Sequence, residues 1–175
     1  MLENPEAAPR TSQPAATKRF EDLYRDSVAR ALRTAYLLCG DHVEAEDMVA
    51  QAFTRVFAKW KDGSIENFFP YLRAAIVNQR MGGLRRLAIE RSHARATLVE
   101  SGAGTFEGGL VDREFLRVAL RSLTARQRAT IVLRYHEGLS EKETAAILGV
   151  RVGTVKAHAS RGLARMRVEL LKEGE

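Results

Sequence analysis

The chain has 175 residues, 45% hydrophobic and 29% charged, and its 28 Lys and Arg against 22 Asp and Glu leave a formal charge of +6, which fits one or two small domains. No run free of charged residues is longer than seven, as from Thr34 to Gly40, whereas a membrane-spanning helix needs about 20 mainly apolar residues, so a transmembrane protein is excluded. The single Cys39 permits no internal disulfide, and the four histidines at positions 42, 93, 136 and 158 are scattered, without the spacing of a zinc site; neither a metal nor any other cofactor is expected.

In chain order, residues 1–19 are rich in Ala, Pro, Ser and Thr and lack the large apolar side chains that would offset ordering entropy, so a disordered tail is expected there. The same segment has no apolar core of the kind a signal peptide requires, which points to a cytoplasmic protein. From Phe20 the pattern turns helical, with Leu23, Tyr24, Val28, Ala31, Leu32, Ala35, Tyr36 and Leu38 at steps of three and four. Gly40-Asp41 breaks it. A second helix is expected from Val43 to Trp60, with Met48, Val49, Ala52, Phe53, Val56 and Phe57 on one face and Glu44, Glu46 and Asp47 in its first turn, where the dipole favours acids. The loop from Lys61 to Ser64 ends it. Pro70 stands near the start of a third helix, and Gly82-Gly83 weakens that helix before the basic Arg85 and Arg86.

Residues 91–111 contain Gly102, Gly104, Gly108 and Gly109 with little periodicity and read as a linker. Beyond them, Thr124-x-x-Gln127 and Ser140-x-x-Glu143 both fit the capping box. No segment alternates like a strand. The fold class is therefore all-α, in two small helical domains joined by a flexible linker. Charge is uneven between them: residues 20–88 hold 10 basic and 9 acidic side chains, residues 114–175 hold 12 and 7. A local positive excess on a small helical segment is an electrostatic footprint for nucleic acid.

The strongest local pattern is LSEKETAAILGVRVGTVKAH, from Leu139 to His158. Ala145 is small enough for two helices to cross closely, Gly149 can take the positive φ of a tight turn, and Val155 points back into the core. Together they spell a helix-turn-helix, whose second helix enters the major groove. Arg151, Thr154, Lys156, Ala157, Ser160 and Arg161 fall on its outer face, with Val152, Val155 and Leu163 mostly inside.

Residues 114–171 resemble region 4 of the extracytoplasmic-function (ECF) sigma factors of bacterial RNA polymerase. Residues 20–88 resemble region 2 of the same family through FEDLY, DHVEAEDMVAQAFTRVFAKW and YLRAAIVNQRMGGLRR, so the likeness covers about 130 of 175 residues. The nearer likeness is to an actinobacterial sigma-E-like subgroup. The resemblance implies a tail at 1–19, region 2 at 20–88, a linker at 89–113 and region 4 at 114–175. It implies that Glu46, Asp47 and the helix through Phe53 dock on the β′ clamp helices of core polymerase. Region 4 would meet the β flap. Asn78, Arg80, Arg85 and Arg86 would serve the -10 element, and the loop from Lys61 to Asn67 would capture a flipped base. Arg151, Thr154, Lys156, His158, Ser160 and Arg161 would serve the -35 element. An anti-sigma partner is common in the family and leaves no mark here.

Three positions depart from the family pattern: Arg151 where a capping Ser is usual, Ala50 where a Gln is common, and Gly82 where an Asp is common. No catalytic group is called for, since Glu46 and Asp47 are adjacent and point to different sides of a helix. Promoter DNA and core polymerase are the expected partners, with no membrane. The main alternative is a LuxR-type helix-turn-helix regulator at an operator, which would show a βα pattern in its N-terminal half; a helical adaptor or RNA binder is a third.

Overall fold

The computed structural model describes residues 13–93 and 110–172, with side chains for 19–83 and 116–172. Among these residues there is helix and no strand. None of the helices is long and apolar enough to cross a membrane.

Helix α1 runs Gln13–Cys39, starting seven residues before Phe20 and so inside the segment expected to be a tail. Once a helix has nucleated, each further turn is cheap to add, and Ala15, Ala16, Lys18 and Arg19 are good helix formers behind a proline at the second position. Residues 1–12 lie outside the described residues. Gly40, at φ 80°, stops α1, its N–H donating to the Tyr36 carbonyl at 2.7 Å. Asp41 then caps α2 (His42–Lys61), its carboxylate accepting from the Glu44 N–H at 2.8 Å. Of the three acids expected in the first turn only Glu44 lies there; the helix begins at His42, so Glu46 and Asp47 fall one turn on.

Helix α3 (Phe68–His93) passes straight through Gly82 and Gly83. Nothing lies within 4 Å of where their β-carbons would be, so their penalty is entropic, about 1 kcal/mol each, too little to end a packed helix. Helix α3 reaches His93 and α4 (Leu110–Arg121) starts at Leu110, each within the segment 89–113 expected as linker; the residues between lie outside the described residues.

In the C-terminal domain α5 (Ala125–Ile131) continues into a π-helical turn (Val132–His136), followed by α6 (Glu141–Leu148) and α7 (Val152–Lys172). Both expected capping boxes are formed: Thr124 and Gln127 open α5, Ser140 and Glu143 open α6.

Helices α1, α2 and α3 enclose a core of Ile76, Val56, Val77, Ala35 and Leu72, the larger of these each stabilising the fold by about 1.5–3 kcal/mol through burial. At one end Phe20, Tyr24, Phe53, Phe57, Trp60 and Phe68 form a cluster of edge-to-face rings, Phe20 to Phe57 at 4.8 Å. The two domains are in contact: α5 and the π turn rest on α1, and α6 rests on α3. Ala129, Val132, Leu133 and Leu139 join the N-terminal core directly. A second cluster, Ala119, Leu120, Leu123, Ile131 and Met166, closes the C-terminal domain and takes in Leu37 from α1.

Candidate nucleic-acid interface

The helix-turn-helix is built as its spacing demands. Ser140 and Glu143 satisfy each other's backbone donors at the start of α6, with Ser140 N–H donating to the Glu143 carboxylate at 2.8 Å. These contacts hold the Glu143 carboxyl below its usual range, the Ser140 hydroxyl contributing most. Gly149, at φ 63°, closes the same helix in the left-handed conformation, and the Ala145 carbonyl accepts from both Gly149 N–H and, at 3.1 Å, Val150 N–H, as at other glycine-ended helices. Ala145 and Val155 are buried, Val155 completely. The Arg151 carbonyl accepts from Thr154 and Val155 N–H at 2.9 and 3.2 Å and so starts α7. Helix α7 can cross α5 closely because residue 162 is glycine; a β-carbon there would stand 3.2 Å from Ile131 Cγ1.

On the outer face Arg151, Lys156, Ser160 and Arg161 are exposed, and Thr154 and His158 half-buried. Lys156 reaches Glu141 across the motif at 3.6 Å while remaining 65% exposed, a contact weak enough for a phosphate to replace. Partial burial, then the charges of Arg126 and Arg161, push the His158 imidazole below its ordinary value. The field of the two guanidiniums makes this face positive. Arg126, exposed in the first turn of α5, extends that field and was not singled out from the sequence; the signal was there, since the α5 capping box fixes its side of the helix. Leu163 is 41% exposed instead of inside, because glycine at 162, not leucine at 163, faces α5.

In the N-terminal domain Asn78 is exposed on α3. The Arg80 guanidinium pairs with Glu44 and is 16% exposed, tying α3 to α2 alongside the hydrogen bond that the Gln79 amide donates to Gln51. Arg85 and Arg86 continue the backbone of α3, and their side chains lie outside the described residues. In the loop after α2 the Asp62 carboxylate accepts from Ser64 N–H at 3.0 Å and from its hydroxyl, Gly63 takes φ 74°, and buried Ile65 anchors the end. Phe68 is core and Phe69 is 48% exposed, so of the aromatics flanking the loop Phe69 is the one offering most open surface. Trp60 packs edge-on against Phe68 and under Arg19 at 5.8 Å.

Glu46, Asp47 and Ala50 are exposed on helix α2. Phe53 is not with them: it is 5% exposed and sits in the ring cluster against Tyr24 at 4.6 Å, so it supports this helix from within. The space beside Gly82 would admit the Asp common at that position. Cys39 is partly buried, its thiol pushed up by burial and donating to the Asp41 carbonyl at 3.1 Å, as a small packing residue.

A family model described as Sigma-70, region 4 matches residues 114–166. The RNA polymerase sigma-E factor of Streptomyces coelicolor is 35% identical over 153 residues, spanning 87% of this chain and 86% of that protein. The ECF RNA polymerase sigma factor SigE of Mycolicibacterium smegmatis is 31% identical over 93% of this chain and 65% of that longer protein. Among solved structures, the sigma factor RpoE of Bartonella quintana, in complex with the anti-sigma factor NepR, superposes with a TM-score of 0.75 at 30% identity over 89% of this chain and 98% of that one.

Proposed function

This chain belongs to the ECF sigma factors of bacterial RNA polymerase, and on that premise we propose how its residues divide the work of promoter recognition. The outer face of α7 reads the -35 element as duplex, with Lys156 and Arg161 as the principal cations and Arg151, Thr154, His158 and Ser160 around them. An arginine reads guanine through two parallel hydrogen bonds, worth about 1–3 kcal/mol of discrimination. Arg126 adds phosphate contact, its exposed guanidinium extending the positive face of α7.

Asn78, with Arg85 and Arg86 further along α3, serves the -10 element. The ordered turn at Asp62–Ser64 and the open ring of Phe69 offer polar edges and a stacking surface to an unpaired base. Glu46 and Asp47 on the exposed side of α2 dock on the β′ clamp helices, and the C-terminal domain meets the β flap. Arg80 acts indirectly, by fixing α3 against α2. Opening the promoter then rests on capturing unpaired bases and needs no catalytic group. The protein works where polymerase does, in the cytoplasm, and an anti-sigma partner like that of the Bartonella relative is expected.

The observation that carries this reading is the coincidence of a capped helix-turn-helix, with a positive field on its outer face, and relatives that match along nearly the whole chain. An operator-binding regulator of LuxR type would carry a βα N-terminal half, whereas residues 13–93 form three helices. To test it, the protein is added to bacterial core polymerase on fragmented genomic DNA and transcript 5′ ends are sequenced. New starts sharing two motifs at fixed spacing are expected, and Lys156→Ala with Arg161→Ala should abolish them while core binding persists. Discrete duplex binding without new starts would overturn the reading.

A further inference from the structure

One carboxylate of the C-terminal domain is spent entirely on the N-terminal domain. Glu137 leaves the π turn, its N–H donating to the Val132 carbonyl at 2.9 Å, and its side chain is 3% exposed. Oε2 accepts from Arg30 Nη2 at 2.9 Å and from Arg73 Nε at 2.8 Å, and Oε1 accepts from the Thr34 hydroxyl. Arg30 and Thr34 belong to α1, Arg73 to α3. Burial alone would push the Glu137 carboxyl up, but the Thr34, Arg73 and Arg30 donors outweigh it and hold it below the usual range, so it is charged at neutral pH. A buried charge is tolerated only with such partners, and removing them is strongly destabilising.

Two more arginines of the same domain work alongside. Arg128 donates to the Leu38 carbonyl and Arg121 to the Gly40 carbonyl, each at 3.3 Å, satisfying acceptors that the end of α1 leaves open. Beneath these polar contacts Val132, Leu133 and Leu139 merge with the N-terminal core.

A chain of 175 residues packed as one body has a radius of gyration of roughly 16 Å. Two DNA elements about two helical turns apart require reading faces roughly 70 Å apart. The packed arrangement and simultaneous reading of both elements are therefore mutually exclusive, although Lys156, Arg161 and Asn78 are each exposed. We propose that the contact of Glu137 with Arg30, Thr34 and Arg73 is an intramolecular latch that holds the free protein closed and competes with its assembly on polymerase and promoter. The latch acts by separation, without covering either face. Its inhibitory consequence rests on the sigma-factor reading; the closure itself does not.

The test is small-angle X-ray scattering of the full chain as wild type, Glu137→Gln and Arg30→Ala, with helix content followed by circular dichroism. Arg30 is 55% exposed, and without it Glu137 keeps Arg73 and Thr34, so Arg30→Ala is the milder of the two variants and carries the test if Glu137→Gln loses helix. The wild type should scatter as one compact particle, and the variants, with unchanged helix content, as larger ones. At limiting core polymerase the variants should form promoter complexes about tenfold faster, the equivalent of one charged hydrogen bond. An extended wild type, or variants that scatter like it, would overturn the latch. Variants that open without forming complexes faster would overturn its inhibitory role. Closed wild type and open variants with no promoter-directed transcription from any would leave the latch standing and remove the sigma-factor reading.

Discussion

The two domains are the same size class and the same fold class, yet they are specified differently. Residues 20–88 are close to neutral, with 10 basic and 9 acidic side chains, and are organised by large rings and aliphatic side chains buried among three long helices. Residues 114–175 carry 12 basic against 7 acidic and are organised by helices with explicit ends and a close crossing: two capping boxes, the left-handed Gly149 and the contact at Gly162. Volume specifies one domain and punctuation the other. The punctuated domain can therefore leave a whole helix face to cations, while the other spends most of its faces on packing.

The sharpest way to break this contrast is through Phe53. Phe53→Ala should cost about 3–5 kcal/mol of stability in denaturant unfolding, whereas Glu46→Ala and Asp47→Ala should stay within about 0.5 kcal/mol and weaken association with core polymerase. A stable Phe53→Ala protein with lost core affinity would return that ring to the docking surface.

Acid should reveal the contact between the domains next. The Glu137 carboxyl is held below its unfolded value, so the stability it confers is complete above that value and is lost as pH falls through the lower, folded one. It faces Arg30 and Thr34 on α1 and Arg73 on α3, with Asp26 lining the same cleft. The adjacent His136 imidazole is lowered by burial and by Arg30 and Arg33, against the pull of Glu137, so its loss of stability begins higher, as pH falls through the ordinary histidine range. A pH titration of unfolding free energy should show both steps in the wild type, and in Glu137→Gln the histidine step with a smaller acid step left to the other lowered carboxylates, Glu143 and Asp62.

Smaller effects separate the two kinds of specification further. Ser140→Ala should cost about 1 kcal/mol by removing a cap and should lower DNA affinity only through stability, read by comparing thermal unfolding with duplex binding. Gly82→Ala should do the reverse, stabilising by about 0.5–1 kcal/mol, because the site is open and already helical; a destabilised variant would mean that α3 must flex there.

This contrast also explains what could be read from the residues alone. The helix-turn-helix was legible in detail because caps, a positive-φ glycine and a buried valine are local devices with fixed spacing. The three N-terminal helices were legible as helices from periodicity, but the start at Gln13 and the passage through Gly82-Gly83 were not, since propagation and packing override weak local preference. Phe53 and Arg80 were assigned outward roles, and the structure turns both inward, to a ring cluster and to Glu44, because periodicity says which face is apolar but not which polar neighbour a long side chain will find. Glu137 was invisible: its partners stand 103 and 107 residues away at Thr34 and Arg30, and 64 away at Arg73.

The π turn at Val132–His136 is an α-helix that has gained one residue and kept its place by bulging. Each residue of an α-helix advances the direction of a side chain by about 100°. Deleting one of these five positions would let the bulge relax to regular α-helix with the chain beyond it still in place; a one-residue deletion that the bulge did not absorb would swing that chain by this angle, aiming Glu137 away from Arg30 and Arg73 while the capped motif beyond Ser140 re-formed on its own signals. Whether the domains hold each other is thus a trait that a single codon could remove without touching a residue that faces DNA.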